Sequence, residues 1–161
     1  MDDYNVLHRL CTIRTVDFDA TGELTMGLDM YAYTAPAELV GDEQVDMNDR
    51  LFSEGKPVAG VDTDFAYWRK FNHLHGWMEK LYRSKGGESA DFNCNTVRLM
   101  PADLDRLEAM ASMKVLAPTA GFFFGGQEEF NDEDKQEVLD FIAKARQAIA
   151  DGKAVVYDSW W

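Results

Sequence analysis

A chain of 161 residues, 46% of them hydrophobic and with a formal net charge of −13, is long enough to bury a true core. Its charge argues against direct binding to nucleic-acid phosphates, which calls for a concentrated basic face. Apolar runs such as AVVY near the C-terminus fall far short of the roughly 20 residues of a membrane-spanning helix, so no membrane association is expected. The start, MDDYNV, carries acids where a secretory signal carries bases, and the two cysteines, Cys11 and Cys94, are too few for a disulfide framework. These features read as a cytoplasmic protein with reduced thiols.

In chain order, residues 11–18 (CTIRTVDF) and 24–34 (LTMGLDMYAYT) alternate and suit a β-hairpin about the turn-like DATGE. Residues 35–61 hold Pro36, Pro57 and scattered Gly and Asp, a loop pattern with one short helix at 37–39. A long helix is predicted from Asp62, which can cap it, to just before Gly86 and Gly87. Residues 92–99 read as a strand, and Pro101 opens a second helix reaching about Val115. The segment LAPTAGFFFGG is too rich in glycine for a helix and suits a short buried strand. A third helix starts at Asn131 or Asp132, places Val138, Phe141, Ile142, Ala145 and Ile149 on one face, and stops at Gly152. AVVYDSWW closes the chain as a strand. The expectation is an α+β fold, a small and mainly antiparallel sheet against about three helices, occupying residues 26–161.

The acids cluster, with Asp42, Glu43, Asp46 and Asp49 in one group and residues Glu128, Glu129, Asp132, Glu133, Asp134 and Glu137 in another. A solvated, self-repelling surface is the plain reading. Mimicry of a nucleic-acid backbone is the sharper one, and it requires the acids to form one continuous face.

Residues 65–77 (FAYWRKFNHLHGW) concentrate two histidines, two tryptophans and an Arg-Lys pair. On a helix of about 100° per residue, Tyr67, Phe71, Leu74, Met78, Leu81 and Tyr82 share a core face. Arg69, His73, Gly76, Lys80 and Arg83 share the opposite, solvent face. Between them runs a stripe of Trp68, Asn72, His75 and Glu79, spaced so that neighbours touch. Glu79 one turn after His75 would orient its ring and raise its pKa, with Trp68 as a water shield. Arg69 and Lys70 are candidates for an anionic ligand, and Cys94, Thr119 and Ser159 are candidate neighbours of the stripe. A metal would need two ligands beyond His75 and Glu79, so neither metal nor cofactor is expected. GFFFGG lacks the lysine of a phosphate-binding loop.

Five stretches occur in order: MGLDMYAY at 26–33, YWRKFNHLHGW at 67–77, Asn93-Cys94, PTAGFFFG at 118–125 and YDSW at 157–160. Together they resemble a family of small phage- and prophage-associated proteins with a GLDMY start, a YWRKxNxxHxW segment, a PTxGFFFG motif and a YxSW ending. The family pattern falls on Tyr67, Trp68, Arg69, Lys70, Asn72, His75 and Trp77 and passes over His73. The resemblance implies a phage setting, hence the cytoplasm of a host cell, and no particular activity. GLDMY begins the resembling proteins, whereas 25 residues precede Met26 here. Residues 1–25 therefore read either as an upstream extension or as the first strand of the hairpin. The function expected is binding to a protein partner of host or competitor origin. The second reading is a small enzyme or ligand-binding domain built on the Trp68, Asn72, His75, Glu79 stripe, with His75 in a pocket.

Overall fold

The computed structural model describes residues 27–161, so the first strand of the expected hairpin lies outside the described residues. Period-two alternation shapes the sheet. In β1 (Asp29–Pro36), Met30 and Ala32 point to one face and Tyr33 and Ala35 to the other, and all four are buried. In β6 (Lys153–Trp160), Val155 and Tyr157 oppose Ala154 and Val156 in the same way. Strands covered on both faces read as continuous apolar runs, which is why AVVY is uninterrupted.

The short elements between are α1 (Ala37–Val40), α2 (Asn48–Leu51) and the two-residue strands β2 (Phe52–Ser53) and β3 (Lys56–Pro57). They are followed by β4 (Asp62–Arg69), α3 (Asn72–Ser84), β5 (Val97–Leu99), α4 (Pro101–Ser112) and α5 (Asp132–Ala150). The main sheet has the order β4-β1-β6-β5 and is antiparallel throughout. Ala32 sits opposite Tyr157, and Met30 opposite Trp68. The larger core joins one sheet face to α3, α4 and α5 through Leu74, Met78, Leu104, Leu107, Val138 and Ile142, among others. The smaller one covers the opposite face with Val40, Met47 and Leu51. The fold is thus α+β, an antiparallel sheet packed against helices, as expected.

The principal correction concerns residues 62–71. The segment predicted as the first turns of a long helix is strand β4, paired to β1 from Asp29↔Arg69 to Thr34↔Asp62. Aromatic residues at Phe65, Tyr67 and Trp68 favour a pleated surface, and Phe65 and Trp68 are buried while Tyr67 is half exposed. The expected strand at 92–99 contracts to Val97–Leu99, and residues 118–126 form turns rather than a strand. The short helix at 37–40, the helix from Pro101, the cap at Asn131 and the final strand agree with expectation. Asn131 Oδ1 accepts from the Glu133 and Asp134 amides, and Asp134 reaches back to the Asn131 amide, a reciprocal cap.

A buried ion pair ties α3 to α4. Lys85 Nζ lies 2.5 Å from Asp103 Oδ2, whose side chain also accepts from the Met100 amide and from Arg106. Burial pushes the Asp103 carboxyl up, but the hydrogen bonds from Lys85 and Met100 and the Lys85 charge outweigh it and hold the group below its ordinary value of 3.8. A depressed carboxyl contributes stability above its unfolded value and loses it as pH falls through the folded one. Asp103→Asn is expected to cost about 3 kcal/mol at neutral pH and to flatten the stability profile below pH 4. Urea midpoints over a pH series measure both, and equal slopes for variant and parent would refute the assignment.

Candidate functional site

β4 turns into α3 through Lys70, whose φ of 55° lies in the left-handed region, a conformation costly for a residue with a side chain. The turn brings Asn72 to the first position of α3 with its side chain buried, 2% exposed. A buried amide must find partners, and Asn72 finds them in one loop. Nδ2 donates to the carbonyls of Phe124 (3.2 Å) and Gly126 (2.8 Å), and Oδ1 accepts from the Thr119 amide at 2.9 Å. The adjacent His73 continues the clamp through Nε2, 2.8 Å from the Glu128 carbonyl. A carbonyl only accepts, so Nε2 carries the proton.

Gly76, one turn further on, admits the same loop. A Cβ there would stand 1.8 Å from Thr119 Oγ1. His73 and Gly76, expected on a solvent face, are buried because residues 119–128 lie over the first turns of α3. The loop is also bonded from the sheet side, by the Leu28 amide to the Phe123 carbonyl at 3.0 Å. Its three phenylalanines divide. Phe124 is buried, Phe123 is intermediate and Phe122 is 95% exposed.

His75 points the other way, into the core. It is fully buried, its Nδ1 is 2.8 Å from the Tyr157 hydroxyl, and its ring meets Phe124 at 4.8 Å and Phe92 at 5.3 Å between centroids. Nε2 is buried with no hydrogen-bond partner among the described residues. Burial lowers its pKa to about 4, so the ring is neutral at physiological pH and lacks the access to solvent that a general base or metal ligand needs. His75 holds Phe124, and with it the base of the loop, against β6.

A cleft of about 310 Å³ opens beside the clamp, between the β4–α3 turn and the start of α5, and its walls include Trp68, Lys70, His73, Glu128 and Glu137. Arg69, also on this wall, pairs with Asp29 at 2.9 Å, and Tyr67 donates to the same carboxylate at 2.6 Å. Burial and the Asp134 charge raise the Glu137 pKa.

The stripe expected to form the site is therefore divided. Trp68 sits on β4 rather than on the helix, where it packs edge-on against Phe141. Glu79 pairs with Arg83 at 3.5 Å, and among the described residues it is Tyr157, not Glu79, that bonds His75. Trp68, Arg69, Lys70 and Asn72 line the cleft, whereas His75 and Ser159 are sealed in the interior. Thr119 is brought to Asn72 as a loop anchor, and Ser159 Oγ donates to the Phe92 carbonyl at 3.3 Å. Cys94 is disulfide-bonded rather than the expected reduced thiol, so it offers no nucleophile. The roles of Tyr157 and Phe124 are not among the expectations from sequence, which also place His73 and Gly76 on a solvent face rather than under the loop. The ordered YDSW and PTAGFFFG motifs were the signal that their residues meet those of the YWRKFNHLHGW segment.

The two acidic groups stand at opposite ends of α3. Asp46 accepts from Tyr82 near the helix C-terminus (3.0 and 2.9 Å), while Glu128 meets His73 at the start, about 14 Å apart along the axis at 1.5 Å per residue. No protein-family model, curated protein or solved structure matches the chain.

Two outcomes follow from this geometry. Gly76→Ala ought to stabilise a helix by about 1 kcal/mol on propensity alone, but the 1.8 Å approach decides the sign. A net loss of about 1–3 kcal/mol is expected, and a gain in thermal unfolding would disprove the loop seating. For His75, the folded value near 4 lies below the ordinary 6.5 of an imidazole, so the unfolded chain binds the extra proton between them. Stability is complete above pH 6.5 and falls by about 3 kcal/mol as pH drops to 4. His75→Phe removes that slope, and an imidazole titrating near 6.5 by NMR in the folded protein would contradict it.

Proposed function

We propose that the protein acts by binding, as a phage- or prophage-borne accessory protein that engages a protein of the host or of a competitor through the loop at residues 118–128. The single observation that supports this most is Phe122, an aromatic side chain 95% exposed on a loop anchored on either side of it. A loop held rigid loses little entropy when it docks. Aromatic anchors in pre-formed segments are typical centres of interface energy.

The charge beside the anchor narrows the partner. Glu128, Glu129 and Glu133 are exposed and take part in no ion pair among the described residues. The partner surface this suits is basic, with an apolar pocket for Phe122 at its centre. The phage setting rests on the family resemblance of the five ordered motifs. The enzyme reading built on the stripe loses support, because His75 is sealed from solvent and Glu79 is engaged with Arg83.

The test compares the parent protein with Phe122→Ala in capture from host lysate, with unfolding midpoints as a control. A stoichiometric partner held by the parent, released by rising salt and lost by at least tenfold in affinity on Phe122→Ala (about 1.4 kcal/mol or more) is the expected result. Equal capture by a folded Phe122→Ala variant would reject the loop as the interface.

A further inference from the structure

We propose that the cleft between the β4–α3 turn and the start of α5 binds a free α-amino acid, with the ligand carboxylate at Lys70 and its ammonium group at His73 Nδ1 and Glu137. The cleft shares Gly125, Gly126 and Glu128 with the 118–128 loop but does not include Phe122, and the proposal does not depend on the partner-binding reading.

The two walls of the cleft carry opposite charge. Lys70 stands on the β4 side and Glu137 on the α5 side. Among the described residues neither forms an ion pair, with the other or with any third group. Opposite charges that face one cavity without meeting leave room for a ligand whose own charges run in the complementary order. An α-amino acid has that arrangement, and a volume of about 310 Å³ is at the lower end of small-molecule sites.

Lys70 is placed rather than merely present. Its aliphatic chain passes between two glycines: a Cβ on Gly27 would be 3.0 Å from Lys70 Cε, and one on Gly125 would be 3.2 Å from Lys70 Cβ. Its backbone is held at φ 55°, and such local strain tends to accompany functional positions.

His73 supplies the second, independent indication. It is 6% exposed, with its ring set between Phe71 (6.1 Å) and Phe130 (5.6 Å) and its Nε2–H held by the Glu128 carbonyl. The other nitrogen, Nδ1, has no partner among the described residues and is not one of the atoms sealed from solvent. A pinned Nε2–H leaves Nδ1 as the acceptor of a residue that lines the cleft. A ligand N–H satisfies it, whereas a carboxylate or phosphate alone does not. The nearby acids Glu128, Asp134 and Glu137 likewise disfavour a simple anion.

The experiment titrates the full-length protein with each common L-amino acid, following backbone amides by NMR and confirming affinity by calorimetry. Expected are shifts at Lys70, His73 and Gly126 with one or more amino acids. The matching N-acetyl acid, which lacks the ammonium, and the amino-acid amide, which lacks the carboxylate, should each bind at least about tenfold more weakly. Lys70→Asn, a residue that tolerates the left-handed backbone, and Glu137→Gln should each weaken binding by a similar factor while leaving the unfolding midpoint near that of the parent. No shift at these amides with any amino acid overturns the proposal. So does equal binding of the acetylated acid, of acetate or of inorganic phosphate, which would make the cleft a general anion site.

Discussion

The side-chain amide of Asn72 is the interaction on which the arrangement of this protein depends. Three hydrogen bonds from one buried group fasten Thr119, Phe124 and Gly126 to the start of α3. Without them the loop's backbone groups would have to be met by water while Phe124 stayed in the core. A buried polar group with its partners satisfied gives a unique position to whatever it binds. Here it positions a loop with no regular secondary structure of its own, one that crosses a helix face rather than extending a sheet.

The neighbouring residues divide the labour by direction. His73 reaches outward over the loop to Glu128, Gly76 provides the space into which Thr119 sits, and His75 turns inward to Tyr157 and Phe124. The loop is therefore secured on its polar side by α3 and on its apolar side by the aromatic group of Phe92, Phe124, Tyr157 and Trp161. Phe122 is exposed because those around it are committed: every other anchor of the segment points into the protein. The cleft beside Lys70 follows from the same turn, since the chain must leave β4 and begin α3 within two residues.

Much of the architecture was legible in the sequence because periodicity is a local property. The alternation that runs up to Thr34, the apolar AVVY of the last strand, the Pro at the start of α4 and the Asn131 cap of α5 each depend on residues close in the chain, and each marks an element of the structure. Leu74, Met78, Leu81 and Tyr82 form the buried face of α3 as the helical projection required. The same projection failed when it was continued back to residue 62, because Phe65, Trp68 and Phe71 recur every three residues as on a helix, while the aromatic and β-branched content of 63–68 suits a strand. Pairing with β1 decided between them. His73 failed for a different reason: a helix face can be called solvent only if nothing from elsewhere in the chain covers it.

By itself the sequence determined the fold class, the Asn131 cap, the central strands and the core face of α3, all consequences of spacing along the chain. It also put the motif residues Asn72, His75, Thr119, Phe124 and Tyr157 on record, without saying what they do. Only the tertiary structure decided that His75 is a core histidine kept neutral by burial, that Asn72 is a clamp, and that Phe122 and Lys70 are left to face solvent. The reason is that burial and hydrogen-bond partners come from segments 47 to 82 positions away, and no local pattern encodes which distant segment arrives on which face.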